Sequence, residues 1–259
     1  MRLPTHCLKK MSKIQKITNK TKKLNYPLQL STIKYTTLNN SSTIKFDNAK
    51  PLNPFYLTGF CDGESSFIIS ITKRSSYKTS WGIHPIFKIE LHKRDLALLE
   101  KIKTFFGVGN ITISNTRDSA TFAVSSVKEI NKVIIPHFDK YKLVTNKQVD
   151  YSLFRSVLEL IDKGEHLTKE GLNKALGFRA SMNSGLIADE FKSDIEPIVR
   201  PQNLDQVIAD PYWLVGFIEA EGCFFIDIFK SKTHNVGHQV KLKFQITQHS
   251  RDYLLMKIL

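Results

Sequence analysis

Two stretches hold the residues that could do chemistry: GFCDGESSFIISI, Gly59 to Ile71, and GFIEAEGCFFIDI, Gly216 to Ile228. In each, an apolar helical segment ends in acids and becomes a strand at once, with Glu64 and Glu221 closing the helices. Each helix carries small residues four apart, Gly59 with Gly63 and Gly216 with Ala220. Small residues on one face let two backbones approach closely. If the helices pack on that face, their C-terminal ends lie side by side and the two glutamates converge. The helix dipole disfavours an acid at a C-terminus by roughly 0.3–1 kcal/mol, and two such acids also repel. A cation relieves both penalties, and carboxylate oxygens suit Mg²⁺ or another divalent ion such as Mn²⁺. Carboxylates around hard metal ions are what phosphodiester hydrolysis requires, because the metal activates a water and stabilises the leaving oxygen. A lone glutamate at a helix end is ordinarily a solvated surface acid; the second copy at the same helical phase reverses that weighting. Asp62 and Glu219 lie two residues earlier, about 200° around the helix. They are therefore expected to cap backbone or face solvent, off the inner face.

The elements that must position these acids form a repeat. A shift of 157 residues, the separation of Glu64 and Glu221, aligns Pro54–Ile102 with Pro211–Leu259 without a gap. Matched pairs include Leu57/Leu214, Gly59/Gly216, Phe67/Phe224, Ile69/Ile226, Phe87/Phe244, His92/His249 and Asp95/Asp252. In the first unit, Asn53-Pro54 signals a helix start, with the helix running to Glu64. Phe67–Arg74 and Ile83–His92 read as a hairpin. Asp95–Phe106 reads as an amphipathic helix closed by Gly107. Asn110–Ser114 and Thr121–Ser125 read as a second hairpin, and helices follow from Lys128 to about Asn183. The order is α-β-β-α-β-β-α. Residues 184–210 read as a linker and 211–259 as a second, incomplete copy. A two-stranded remnant leaves apolar surface open, so a fragment or degenerating copy, poorly soluble or inactive alone, is expected.

The formal net charge is +14. Residues 1–50 hold eleven Lys and Arg against one acid, Asp47, for +10; the rest hold 27 bases against 23 acids, for +4. The charge thus reports mainly on a basic tail, which reads as disordered. No apolar run of about 18 residues without charge appears, so a membrane span is not expected. The three cysteines show no metal-ligand spacing. Lysine outnumbers arginine 30 to 8, a bias that suggests an AT-rich gene of the kind organelle genomes often carry.

LTGFCDGES (Leu57–Ser65) and LVGFIEAEG (Leu214–Gly222) resemble the two signature helices of LAGLIDADG homing endonucleases. The likeness is to single-chain, two-repeat members encoded in fungal mitochondrial introns, and it covers residues 54–259. It implies an α+β fold of duplicated αββαββα units whose antiparallel sheets form a DNA-binding saddle, with the second unit truncated here. It implies a monomer with two pseudo-symmetric halves, located in the mitochondrion, that cuts both strands of duplex DNA in intron mobility. It assigns Glu64 and Glu221 to the catalytic divalent metal, and Gln248 to ordering active-site water. Leu91 stands at the matching place in the first repeat. The family's active-site lysine corresponds to Lys147, with Lys142 as substitute. Ser65 stands where the pattern has glycine, and a residue needing positive φ there would be strained. The alternatives on the same fold are an intron-RNA-binding maturase and an inactive fragment.

The hairpins collect positive charge outside the tail: eleven bases against Glu90 and Asp227 in Phe67–Arg94 and Phe224–Arg251. A basic sheet can enter a major groove while its lysines neutralise phosphates. One strand face repeats between copies and the other diverges. Ile68, Ser70, Thr72 and Arg74 become Phe225, Asp227, Phe229 and Ser231, and Lys88 becomes Gln245. With Lys241 and Lys243, these form the expected DNA-reading surface on a long, non-palindromic target. The spacing of His234 and His238 is zinc-like but without matching cysteines, and reads as a hairpin tip. His92 and His249 read as structural or phosphate contacts.

Overall fold

The computed structural model describes residues 51–183, 198–203 and 206–259. The basic tail and most of the expected linker lie outside the described residues.

Helix α1 (Pro54–Glu64) begins where the sequence signals it. The Asn53 side chain accepts from the Phe55 amide at 2.8 Å, and Pro54 fills the first turn, where no N–H is needed. Six consecutive residues, Leu57 to Asp62, are buried, so α1 is covered on every side. β1 (Ser65–Lys73) follows without a loop and pairs antiparallel with β2 (Trp81–His92). A 3₁₀ turn, Lys93–Asp95, leads into α2 (Leu96–Phe106), which stops at Gly107 in the left-handed conformation, φ 67°. β3 (Asn110–Ser114) and β4 (Ser119–Val124) complete a four-stranded antiparallel sheet in the order β1-β2-β4-β3.

The helical run expected from Lys128 comes in three pieces: α3 (Val127–Glu129), a π turn over Ile130–Ile134, and α4 (Ile135–Lys140). Pro136 accounts for the wide turn. It offers no N–H, and its ring would crowd the carbonyl four residues back. The Ile135 amide reaches the Ile130 carbonyl instead. α5 (Lys147–Asp162) and α6 (Lys169–Ser181) follow. The helices cover one sheet face, burying Phe67, Ile69, Phe87, Ile89 and Phe122 against Leu99, Ile102, Phe138 and Phe154, all at most 1% exposed.

The second copy opens in the same way. α7 (Pro211–Glu221) is capped by the Asp210 side chain on the Tyr212 amide, with Pro211 in its first turn. β5 (Gly222–Lys230) and β6 (His238–Ile246) form a hairpin whose register repeats the first, Gly222 opposite Ile246 where Ser65 faces Ile89. A short α8 (Tyr253–Ile258) ends the chain.

Two differences between the copies have physical causes. β6 stops at Ile246, whereas β2 runs three residues further. Those residues, Glu90 to His92, are paired only by β4, and among the described residues β6 has no such neighbour. The apolar face of the second hairpin is also uncovered. Phe224, Ile226 and Ile228 are 39%, 68% and 66% exposed, although their counterparts Phe67 and Ile69 are sealed. A sheet face gains its hydrophobic stabilisation only from the layer laid on it.

Replacing Ile69 with Thr is therefore expected to cost about 2–4 kcal/mol. The same change at Ile226 is expected to stay within about 0.5 kcal/mol. Equilibrium urea unfolding of the two variants checks the contrast.

Candidate functional site

α1 and α7 form the most extensive contact between any two helices, and the small residues explain how closely they meet. A Cβ built on Gly59 would lie 1.9 Å from the Trp213 carbonyl oxygen, and one on Gly216 1.9 Å from that of Tyr56. Tyr56 and Trp213 are themselves 157 residues apart, so the contact is reciprocal about a pseudo-twofold axis. One turn further on, a Cβ on Gly63 would stand 2.4 Å from that of Ala220. The four expected seam residues thus all lie at or beside the contact.

The seam carries the two helix ends together. The Glu221 carboxylate lies over the last turn of α1, its Oε1 3.4 Å from the point a Gly63 Cβ would occupy. Both glutamates are half-buried. Burial, and then the charge of Glu221, push the Glu64 carboxyl up from its ordinary 4.5 to about 7, with Lys147 opposing the rise.

Lys147 opens α5 and reaches back under α1. Its Nζ donates to the carbonyl oxygens of Cys61 at 2.9 Å and Gly63 at 3.0 Å. These belong to the last turn of the helix, where the dipole favours a cation. Burial lowers the Lys147 pKa, while the carboxylates of Asp62, Glu221 and Glu64 counter that effect. Lys142, the substitute candidate, is exposed.

Two expectations need correction. Asp62 does bond backbone amides, but those of a distant loop, and it does not face solvent; it is 4% exposed and holds four donors. The Val144 amide lies at 2.8 Å, the Thr145 amide at 3.1 Å, the Thr145 hydroxyl at 2.6 Å and the Trp213 indole N–H at 2.7 Å. On an isolated helix that face would meet water, whereas α1 is enclosed and its far side meets the loop before α5. Glu219 is exposed as expected, and accepts from the Tyr56 hydroxyl at 2.7 Å. That bond and the Trp213–Asp62 bond are images of each other under the 157-residue shift. Secondly, Ser65 is not strained. Its φ of −87° is ordinary extended backbone, and its hydroxyl donates to the Cys61 carbonyl at 2.7 Å. Gln248 lies two residues past the end of β6, half-buried, while its counterpart Leu91 is inside β2.

On the diverging face of the hairpins, Thr72, Arg74, Phe229, Lys241, Lys243 and Gln245 are exposed; Ile68, Ser70, Lys88, Phe225, Asp227 and Ser231 are half-buried. Not all of its charge is free. Lys88 pairs with Glu90 at 3.1 Å, and Lys243 with Asp227. The Gln245 amide donates to Thr247 at 2.9 Å, and Lys241 sits over the Phe229 ring. His92 and His249 each accept the amide two residues on at 3.2 Å, so both cap the following 3₁₀ turn.

Sequence reasoning missed the loop 141–146. Its Asn146 amide donates to Asp252 at 2.6 Å, and its Val144 and Thr145 carbonyls accept from Asn203 at 2.9 Å each. Arg200 joins the same loop through the Asn146 carbonyl, and its guanidinium meets buried Asp150 at 2.7 Å. The signal that could have pointed there is the repeat itself, which pairs an aromatic at Tyr56/Trp213 with an acid at Asp62/Glu219.

Could these residues hold a divalent cation? Among the described residues, no group of three or more His, Cys, Asp or Glu is arranged for metal binding. Two converging carboxylates, one with its pKa raised to about 7 by burial and by its neighbour, still form an oxygen donor set suited to a hard ion. Mg²⁺ commonly takes one or two carboxylates and completes its shell with water and substrate phosphate. The residues fit an ion shared with a phosphate-bearing substrate.

Glu64 makes stability depend on pH with a definite sign. A carboxyl whose pKa is raised on folding binds its proton more tightly in the folded state. Its contribution is complete below the unfolded value of 4.5 and is lost as pH rises through about 7. We expect thermal unfolding without divalent ions to show a loss of about 1–2 kcal/mol between pH 5 and 8, discounted because the side chain is half-buried. That part of the slope should vanish in Glu64→Gln. The seam predicts a second outcome: Gly59→Ala costs about 3 kcal/mol or more, since the added methyl meets backbone. Gly164→Ala, which meets nothing but has φ 71°, costs about 1 kcal/mol.

Comparison with known proteins agrees with this architecture. The family model for LAGLIDADG endonuclease matches residues 57–158 and 214–259. The chain is 37% identical over 217 residues to "Probable intron-encoded endonuclease 3" of Neurospora crassa, covering 82% of this chain and 40% of that protein. It is 37% identical over 222 residues to "Probable intron-encoded endonuclease 2" of the same fungus, covering 80% and 47%. The chain therefore spans less than half the length of these relatives. The solved structure of I-SmaMI bound to uncleaved DNA target in the presence of calcium ions is 43% identical, with TM-score 0.77 over 80% of this chain and 71% of that one. With a duplicated helix–hairpin unit, a glycine seam and paired carboxylates all in place, the chain belongs to the LAGLIDADG endonuclease family.

Proposed function

We propose that this protein is a site-specific endonuclease that hydrolyses phosphodiester bonds of duplex DNA with divalent metal, in the service of intron mobility. The observation that carries the reading is the meeting of Glu64 and Glu221 beneath the α1–α7 seam, with Lys147 at its edge. In this role the two glutamates hold the cation, Mg²⁺ in our reading. The cation supplies an activated water and charge neutralisation at the leaving oxygen. Lys147, anchored on two carbonyls, adds a fixed positive charge where negative charge develops. Gln248 orders solvent nearby. The exposed residues Thr72, Arg74, Phe229, Lys241 and Gln245, with their half-buried neighbours, read base edges, and the other hairpin lysines hold phosphates.

Support for duplex DNA comes from the I-SmaMI complex and from a second structure, I-CpaMI bound to uncleaved DNA, 41% identical with TM-score 0.75 over 80% of this chain and 70% of that one. Mitochondrial location is supported by relatives named for an ND4 intron in Podospora anserina and as a mitochondrial protein in Saccharomyces cerevisiae. No described helix is long and apolar enough to cross a membrane.

The test is a cleavage selection from a randomised duplex library, followed by assays on the recovered target. Glu64→Gln and Glu221→Gln are each expected to lower double-strand cleavage at least 10³-fold while changing DNA affinity less than threefold in Ca²⁺. Loss of binding in step with cutting would make the acids structural. Intron-RNA binding with no DNA cleavage would replace the reading with a splicing role.

A further inference from the structure

We infer that Asp62 is a positioning residue for the reaction: through Thr145 and Trp213 it fixes Lys147 beside the two glutamates and locks the register of the α1–α7 seam. The inference rests on the endonuclease reading above and adds a residue to its machinery.

The chain of contacts is continuous. Asp62 accepts from two consecutive loop amides and from the Thr145 hydroxyl. The Thr145 hydroxyl oxygen in turn accepts from the Lys147 amide at 3.1 Å, setting the first turn of α5. From that turn the Lys147 ammonium reaches the carbonyls of Cys61 and Gly63, the residues on either side of Asp62. The lysine is thus held at both ends by the same turn of α1, by its own amide through Thr145 and by its Nζ directly. The fourth donor, the Trp213 indole, comes from α7, and Trp213 also carries the carbonyl that Gly59 abuts. One buried carboxylate therefore ties the loop that leads into the lysine's helix, the helix bearing Glu64 and the helix bearing Glu221. A neutral amide could not serve all four donors. An Asn side chain presents N–H groups to some of them and leaves buried donors unmatched. The second unit lacks this device among the described residues: Glu219 is exposed and is held by Tyr56.

The experiment measures the reactivity of the Lys147 amine in the full chain without DNA. Acetic anhydride is applied briefly at pH 8, and modification at each lysine is read by mass spectrometry, with exposed Lys142 as internal standard. We expect Lys147 to be at least tenfold slower than Lys142 in the wild type. The protection should fall at least fivefold in Asp62→Asn and at least threefold in Thr145→Val, and return in Thr145→Ser, which restores the hydroxyl. If Asp62→Asn does not fold, the two Thr145 variants decide. Protection unchanged in every folded variant, or absent from the wild type, overturns the inference. Single-turnover cleavage supplies the second readout. Asp62→Asn should lower the rate without weakening DNA binding, and its loss should shrink at least fivefold when Lys147 is already Ala; independent, multiplicative losses would contradict a shared path. A wild type that cleaves no DNA would count against the endonuclease reading alone, and the amine reactivity would still judge the placement of Lys147.

Discussion

Two backbones touching with no side chain between them is the constraint from which the rest follows. At Gly59 and Gly216 the space for a methyl group is already occupied by the opposite helix's carbonyl oxygen. This closeness brings two helix C-termini, each bearing a glutamate, into a shared and partly desolvated place. Burial, and then like-charge repulsion from Glu221, raise the Glu64 carboxyl from its ordinary 4.5 to about 7. A pair of carboxyl groups that is costly to ionise side by side is also one whose ionised form a divalent cation would favour. Lys147 offsets part of the cost from one side only.

The two copies show how much of a fold lies outside its local code. Both hairpins have the same register, the same tip length and the same capped 3₁₀ turn after the second strand. One is sealed under helices; the other shows its apolar face, with Leu242 79% exposed. Local sequence builds the hairpin in either setting, but only a covering layer turns Phe224, Ile226 and Phe244 into core. The diverging side of the hairpins carries the opposite lesson. Its charge is partly internally paired, as at Lys88–Glu90, so it is less basic than a count of lysines suggests.

Much of this was readable before any coordinates. The caps at Asn53 and Asp210 and the left-handed stop at Gly107 rest on short-range rules, the seam of small residues follows from the repeat, and each holds in the fold. The order of elements in the first unit also follows those rules. What could not be read depends on distant packing. Asp62 points away from the seam by helical phase, yet a loop more than 80 residues on closes over it. Ser65 departs from the glycine pattern without strain because the chain leaves α1 directly into a strand. The π turn needed the consequence of Pro136 worked through its neighbours' hydrogen bonds. The assignment of Lys147 over Lys142 came from family resemblance, and the loop that holds Lys147 carries no local signal of its own.

The central claim is that Glu64 and Glu221 share one partly dry site, and a ¹³C NMR titration of the Glu64 carboxyl tests it most directly. The account predicts a midpoint near 7 in the wild type and a partial fall when Glu221 is replaced by Gln, since burial remains; it also predicts a fall on adding Mg²⁺ with cognate DNA. A midpoint near 4.5 in the wild type, or one that ignores the loss of Glu221, would mean that the two carboxylates do not meet.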